Sequence, residues 1–172
     1  MTIILQTERL TLRHFTMADA PFIVTLLNSP NWLQYIGERN IKTVADAQSY
    51  LLQGPLLSYV VSGFGLYLVE LKGSHTPIGM CGLLKRPYLD YLDIGYALLP
   101  EFEGLGYGYE IATATLQYTF NQLQQTHVAA ITAIDNKRSV ALLKKMGFYS
   151  NGTVSPDEQT ELLLFVKDAK PL

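Results

Sequence analysis

Cysteine is almost missing from this chain. Cys81 stands alone among 172 residues, which excludes an internal disulfide and fits a reducing compartment. Long apolar runs are missing too. No window approaches the ~18 continuous apolar residues of a membrane-crossing helix. The opening "MTIILQTERL" turns polar at Thr7 and Glu8, too early for a secretory signal. A soluble, cytoplasmic protein with no membrane partner is therefore expected. Neither sign of charge dominates: 13 Lys and Arg against 15 Asp and Glu give a formal net charge of −2. The basic residues are scattered, with Lys144-Lys145 the longest cluster, so nothing argues for nucleic acid. His14, His75 and His127 are too dispersed for a metal site or a triad, so no metal is expected, and no GxSxG exists. Repeats, low-complexity tracts and linkers are absent. A chain of this length then fits one domain, residues 1–172, large enough to bury a real core.

What is present alternates between two periods. "RLTLRHF" reads as a first strand, with Leu10 and Leu12 set against Thr11 and Arg13. Thr16, with Asp19 three residues on, opens a helix toward Leu27. "SPNW" breaks it, and a loop rich in large side chains (Trp32, Tyr35, Ile36) follows. Thr43 caps a second helix that Gly54-Pro55 ends. Strands are expected at 65–71, 78–85 and 91–99, separated by turns as in an antiparallel meander. A helix from Gly106 to Gln124 places Ala112, Leu116, Phe120 and Leu123 on one face. "HVAAITAI" gives another strand. "NKRSVALLKKMGF" gives a short helix closing on Gly147 with Phe148 packing back, and "TELLLFV" gives a last strand. The order β-α-α-β-β-β-α-β-α-β is mixed α/β.

Between the third of these helices and the strand before it lies "EFEGLGYGYE". Gly104, Gly106 and Gly108 alternate with Leu105 and Tyr107. A Walker loop would need a lysine here, and a dinucleotide fingerprint would follow the first strand of a βαβ unit with different spacing. Two readings remain. One is an anion site for a pyrophosphate, built from exposed backbone N–H groups at a helix N-terminus. The other is a tight strand-to-helix turn that merely needs flexible glycines. The preceding strand bears on the choice. One face of "LDIGYAL" carries Leu92, Ile94, Tyr96 and Leu98; the other carries Asp93, Gly95 and Ala97, leaving room for something thin beside a carboxylate. The plainer alternative is that Asp93 is solvent-exposed and Gly95 marks a bulge.

Five segments in register, "TERLTLRHFTMADA", "PIGMCGL", "DIGYALLP", "EGLGYGYE" and "DNKRSVALLKKMGF", resemble GNAT-superfamily N-acyltransferases, and most closely the RimJ/RimL-like branch. The resemblance spans nearly the whole chain. It implies a GNAT fold, α/β (α+β), with a mixed and mostly antiparallel sheet flanked by helices and acetyl-CoA held where central strands splay. It implies an acetyl-CoA-dependent N-acetyltransferase acting directly on a primary amine, either a protein N-terminus or a small molecule. The alternatives are another acyl-CoA donor or a catalytically silent acyl-CoA-binding module, and a homodimer is left open. The motif loop maps onto Glu103, Gly104, Leu105, Gly106, Tyr107 and Gly108, with Tyr109 following, as pyrophosphate-binding residues. The pantetheine arm would meet the backbone of Ala97, Leu98 and Leu99.

The same resemblance assigns chemistry. Asp93 stands where many relatives carry a general-base Glu, and, being shorter, would act on the amine through water. The Ser of NxxS, Ser139, would assist the leaving thiolate; Asn136 would contact the cofactor. Asn136 also makes a good N-cap, with Ser139 an ordinary first-turn residue. A Tyr seven residues beyond Asn136 is absent, since Leu143 stands there, and Tyr149 is a weaker candidate acid. Trp32 and Tyr35 would wall the acceptor site, the plainer alternative being two core aromatics. Cys81 reads as a buried core thiol. Glu103 stands where relatives carry Gln or Arg, so its charge would be turned away or offset by Lys137 and Arg138 of the following helix.

Overall fold

In the computed structural model, which describes residues 2–169, the period-2 segments form one eight-stranded sheet. Its strands are β1 (Ile3–Gln6), β2 (Leu10–Arg13), β3 (Leu66–Leu71), β4 (Pro77–Leu84), β5 (Leu92–Leu98), β6 (His127–Ala133), β7 (Tyr149–Val154) and β8 (Leu162–Asp168). The spatial order is β1-β2-β3-β4-β5-β6-β8-β7. Every neighbouring pair is antiparallel except β5–β6, which is parallel. The expected mixed, mostly antiparallel sheet flanked by helices is the one present.

Helices cover both faces, so alternate residues of one strand enter two different cores. Tyr67 and Val69 of β3 and Cys81 and Leu83 of β4 join a cluster closed by α5 (Tyr107–Asn121) and α6 (Lys137–Lys145) through Ile111, Ala112, Leu116 and Leu143. The intervening Leu68 and Met80 meet Ile23, Leu26, Ala47 and Leu51 of α1 (Ala20–Leu27) and α3 (Val44–Leu51). Among the described residues no helix is long and apolar enough to cross a membrane.

The local signals acted much as they read, with four differences. Ser29-Pro30 starts a helix rather than a loop: α2 (Pro30–Tyr35) carries Trp32 and Tyr35, with Pro30 in its first turn where no N–H is needed. Gly54-Pro55 does not end a helix. The chain widens into a π turn over Leu52–Leu56, which absorbs the proline, and α4 (Leu57–Ser62) continues to Gly63. Two short strands went unread. β1 lies in the polar-flanked N-terminal stretch; β7, exposed for five of its six residues, has too little buried surface to show a pattern. The α6 terminus does close as expected, with Phe148 N–H donating to Leu143 O and Gly147 N–H to Lys144 O, both at 3.0 Å.

One irregularity positions everything that follows. β5 and β6 pair only at Leu92–Val128 and Asp93–Ala129, and beyond Asp93 the two strands part.

Candidate active site

The gap opened by that parting continues into a cleft of about 1210 Å³, lined by β5, the glycine loop, α2 and the start of α6. Along the β4 side of β5 the ladder runs on to Gly79–Leu98, and Leu99 N–H donates to Ile78 O at 2.8 Å. Antiparallel alternation then turns the N–H and C=O groups of Tyr96 and Leu98 to the other edge, which β6 has by then left. A strand edge in mid-sheet is left for a ligand to pair. Ala97 and Leu98 line the cleft; Leu99 does not, since its N–H is taken by β4 and its side chain is buried among α1 and α3 residues.

Gly104, Gly106, Gly108 and Tyr109 line the cleft at the N-terminus of α5. Gly106 is the N-cap, with φ +85°, and Gly104 has φ +73°. Two left-handed residues bracketing one ordinary residue curl the chain so that successive N–H groups converge, and the helix dipole adds positive potential there. Leu105 and Tyr107 point elsewhere. Leu105 is exposed, and the Tyr107 ring packs near Phe102 under the Arg9 guanidinium, 4.4 Å from the ring centre.

Asp93 sits where β5 and β6 separate, 1% exposed and so not a solvated residue. Nor is it a lone carboxylate. Its Oδ2 accepts from Arg86 Nε at 2.6 Å, while Oδ1 has no hydrogen-bond partner among the described residues. Arg86, from the turn after β4, was not singled out in the sequence; only its two-strand fold-back brings it to Asp93. Burial raises the Asp93 carboxyl to about 6, against the smaller opposing pull of the Arg86 charge and hydrogen bond and of the Ile131 N–H. The pair is asymmetric. Arg86, 30% exposed, keeps enough water to hold its charge, whereas Asp93 loses more hydration than Arg86 returns.

Asn136 caps α6, its Oδ1 accepting from Ser139 N–H at 3.1 Å, and both residues line the cleft. The Ser139 hydroxyl lies 3.2 Å from the Tyr96 hydroxyl. Tyr96 read as a core residue in sequence. Its ring does pack with the core, but its hydroxyl reaches the cleft, and burial pushes the phenol up to about 12. It therefore keeps its proton at neutral pH. Tyr149, by contrast, lies on the exposed outer strand β7 with its hydroxyl toward Asp168, well outside this cleft.

Trp32 and Tyr35 of α2 line the cleft, and the Trp32 indole N–H, buried, has no partner among the described residues. Glu103 is turned to two neighbours. Both its oxygens lie within 2.8 Å of Asn31 Nδ2, and Oε2 accepts from Arg138 Nη1 at 2.8 Å. Arg138 is thus the cation that offsets it. Lys137 forms no ion pair with it among the described residues. Cys81 is a core thiol: fully buried, near Thr115, and raised to about 12. Among the described residues no cluster of His, Cys, Asp and Glu suits a metal.

Comparison with known proteins agrees with this geometry. The family model described as "Acetyltransferase (GNAT) domain" matches residues 9–149. An uncharacterized N-acetyltransferase, YoaA, from Bacillus subtilis (strain 168) is 29% identical over 153 residues, 88% of this chain and 85% of the relative. A crystal structure of an acetyltransferase from Agrobacterium tumefaciens (strain C58) superposes with a TM-score of 0.82 at 24% identity, covering 98% of this chain and 95% of that one. RimL, a ribosomal L7/L12 alpha-N-protein acetyltransferase in complex with coenzyme A, gives 0.77 at 17% identity over 96% of this chain and 97% of that one. At such identities the two structures speak for the fold alone. The family match spans most of the sequence, and this chain belongs to the GNAT acetyltransferase family.

Proposed function

We propose that the protein transfers the acetyl group of acetyl-CoA directly to a primary amine, a protein N-terminus or a small-molecule amine, in the manner of the RimJ/RimL-like branch. The observation that carries this is the unpaired edge of β5 ending beside the glycine loop. Tyr96 and Leu98 offer backbone donors and acceptors that suit the amides of a pantetheine arm, as an added strand would. The convergent N–H groups of Gly104 to Gly108 suit the pyrophosphate. In this reading Asp93 removes the proton of the attacking ammonium, through a water reaching Oδ1, while Arg86 holds Oδ2. A backbone N–H of this edge donates to the thioester oxygen as charge develops on it. Ser139, backed by the Tyr96 phenol, supplies a proton to the departing sulfur. Trp32 and Tyr35 wall the amine. Stabilisation of the protein by acetyl-CoA in a thermal-shift screen, then thiol release over a panel of amines, tests the whole. A shift with a longer acyl-CoA and none with acetyl-CoA would replace the donor.

Replacing Ser139 with Ala should lower kcat by about ten- to a thousand-fold, with the KM for acetyl-CoA moving far less. Equal rates would return Ser139 to its first-turn role. Glu103→Gln should tighten coenzyme A binding by roughly two- to fivefold, because the Glu103–Arg138 pair is solvent-screened and weak. The gain should shrink at high salt. Weaker binding by Glu103→Gln would instead show that the Asn31 contact orders the loop.

A further inference from the structure

The "TERL" turn at Thr7–Leu10 joins β1 to β2 and does not line the cleft, yet its side chains reach the glycine loop. Arg9 Nη1 donates to the Leu105 carbonyl at 3.0 Å, and Arg9 Nε donates to Glu110 Oε2 at 2.7 Å. Glu110, in the first turn of α5, also accepts from the Thr7 hydroxyl at 2.6 Å and the Arg9 N–H at 2.9 Å. Its carboxylate is held below the usual range, these donors outweighing its burial. The Tyr107 ring lies against the same guanidinium. One residue therefore grips a loop carbonyl, a helix-start carboxylate and a loop aromatic at once.

The geometry of the peptide unit gives this grip a consequence. A trans peptide is planar, with its N–H opposite its C=O. Holding the Leu105 carbonyl outward on Arg9 fixes the Gly106 N–H on the opposite side, and Gly106 lines the cleft. We propose that Arg9, locked by Glu110 and Thr7, is a positioning residue that orients the Leu105–Gly106 peptide for the pyrophosphate. This rests on the coenzyme A reading above. The role is geometric rather than electrostatic, because the Arg9 charge is matched by Glu110. It needs the two-sided fork of a guanidinium, which an ammonium cannot reproduce.

The test uses the full chain with Arg9→Ala, Arg9→Lys and Glu110→Gln. Calorimetry measures coenzyme A, and ligand-observed NMR measures pantetheine, which lacks the pyrophosphate. Arg9→Ala should weaken coenzyme A by roughly ten- to a hundred-fold, with Arg9→Lys nearly as damaging and Glu110→Gln intermediate. Pantetheine should be affected less than about twofold. That split is measured on whatever fraction is folded, so a loss of stability cannot imitate it. Equal losses for both ligands, full binding in Arg9→Lys, or unchanged coenzyme A affinity in Arg9→Ala would each overturn the clamp. A parent protein that binds no coenzyme A would overturn the donor reading itself.

Discussion

A valine at position 106 should abolish coenzyme A binding while leaving a folded protein. Gly106 holds φ at +85° as the N-cap of α5, a conformation that a β-branched side chain adopts only at a cost of about 1–3 kcal/mol. An added Cβ would lie 3.2 Å from Arg9 Nη2, so it would also press on the group that holds the Leu105 carbonyl. Relief of either strain rotates the Leu105–Gly106 peptide, and Gly106 lines the cleft. Gly152 provides the control. It has the same φ of +85°, lies in β7 on the outer edge of the sheet, and has open space around its would-be Cβ. Gly152→Val therefore imposes comparable backbone strain far from the cleft, and it should bind coenzyme A as the parent does. Calorimetry on both variants, each shown folded by circular dichroism, decides the matter. Parental affinity in Gly106→Val would remove the phosphate-loop role.

How far the sequence carried this reading depended on the range of each interaction. The alternation of Leu92 to Leu98, the Thr43 cap and the α6 terminus are local, and each was readable from neighbouring residues. The glycine loop stands out because its spacing is itself a signal, one shared by a pyrophosphate cradle and a tight turn. β7 was not, because an exposed edge strand carries no buried face to set a period. The same limit separates the residues of the candidate site. Ser139 and Asn136 belong to one helical turn and show together in sequence. Arg86 and Asp93 lie seven residues apart across a turn, which no local rule joins. Tyr96 looked apolar because its ring is; the hydroxyl matters only once α6 brings Ser139 within 3.2 Å. Arg9 and Glu110, about a hundred residues apart, could be joined only by folding. Leu99, named together with Ala97 and Leu98, falls outside the cleft because strand alternation hands its N–H to β4.

Asp93→Asn should lower kcat/KM by roughly a hundred- to ten-thousand-fold, the range of a lost general base. Asparagine keeps the shape of the side chain and can still accept from Arg86, but it cannot take a proton. The pH dependence supplies the sharper signature. With the carboxyl raised to about 6, the base is half ionised there, so parental kcat/KM should climb with pH through about 6 and then level off. That limb should be missing from Asp93→Asn. Stability should run the other way. The folded carboxyl, at about 6, binds a proton more tightly than the ordinary value of 3.8 in the unfolded chain. The stability this group contributes is therefore fully present below about 4 and is lost as pH rises through about 6. The parent should thus lose stability relative to Asp93→Asn over the same interval in which it gains activity. Burial without a partner for Oδ1 is what produces both slopes, since it disfavours the charged form that the chemistry needs. Denaturation midpoints and rates measured from pH 4 to 8 on both proteins test the two slopes together. A variant with the parental rate, or a parental rate profile flat through 6, would remove Asp93 from the chemistry and leave it as the buried partner of Arg86.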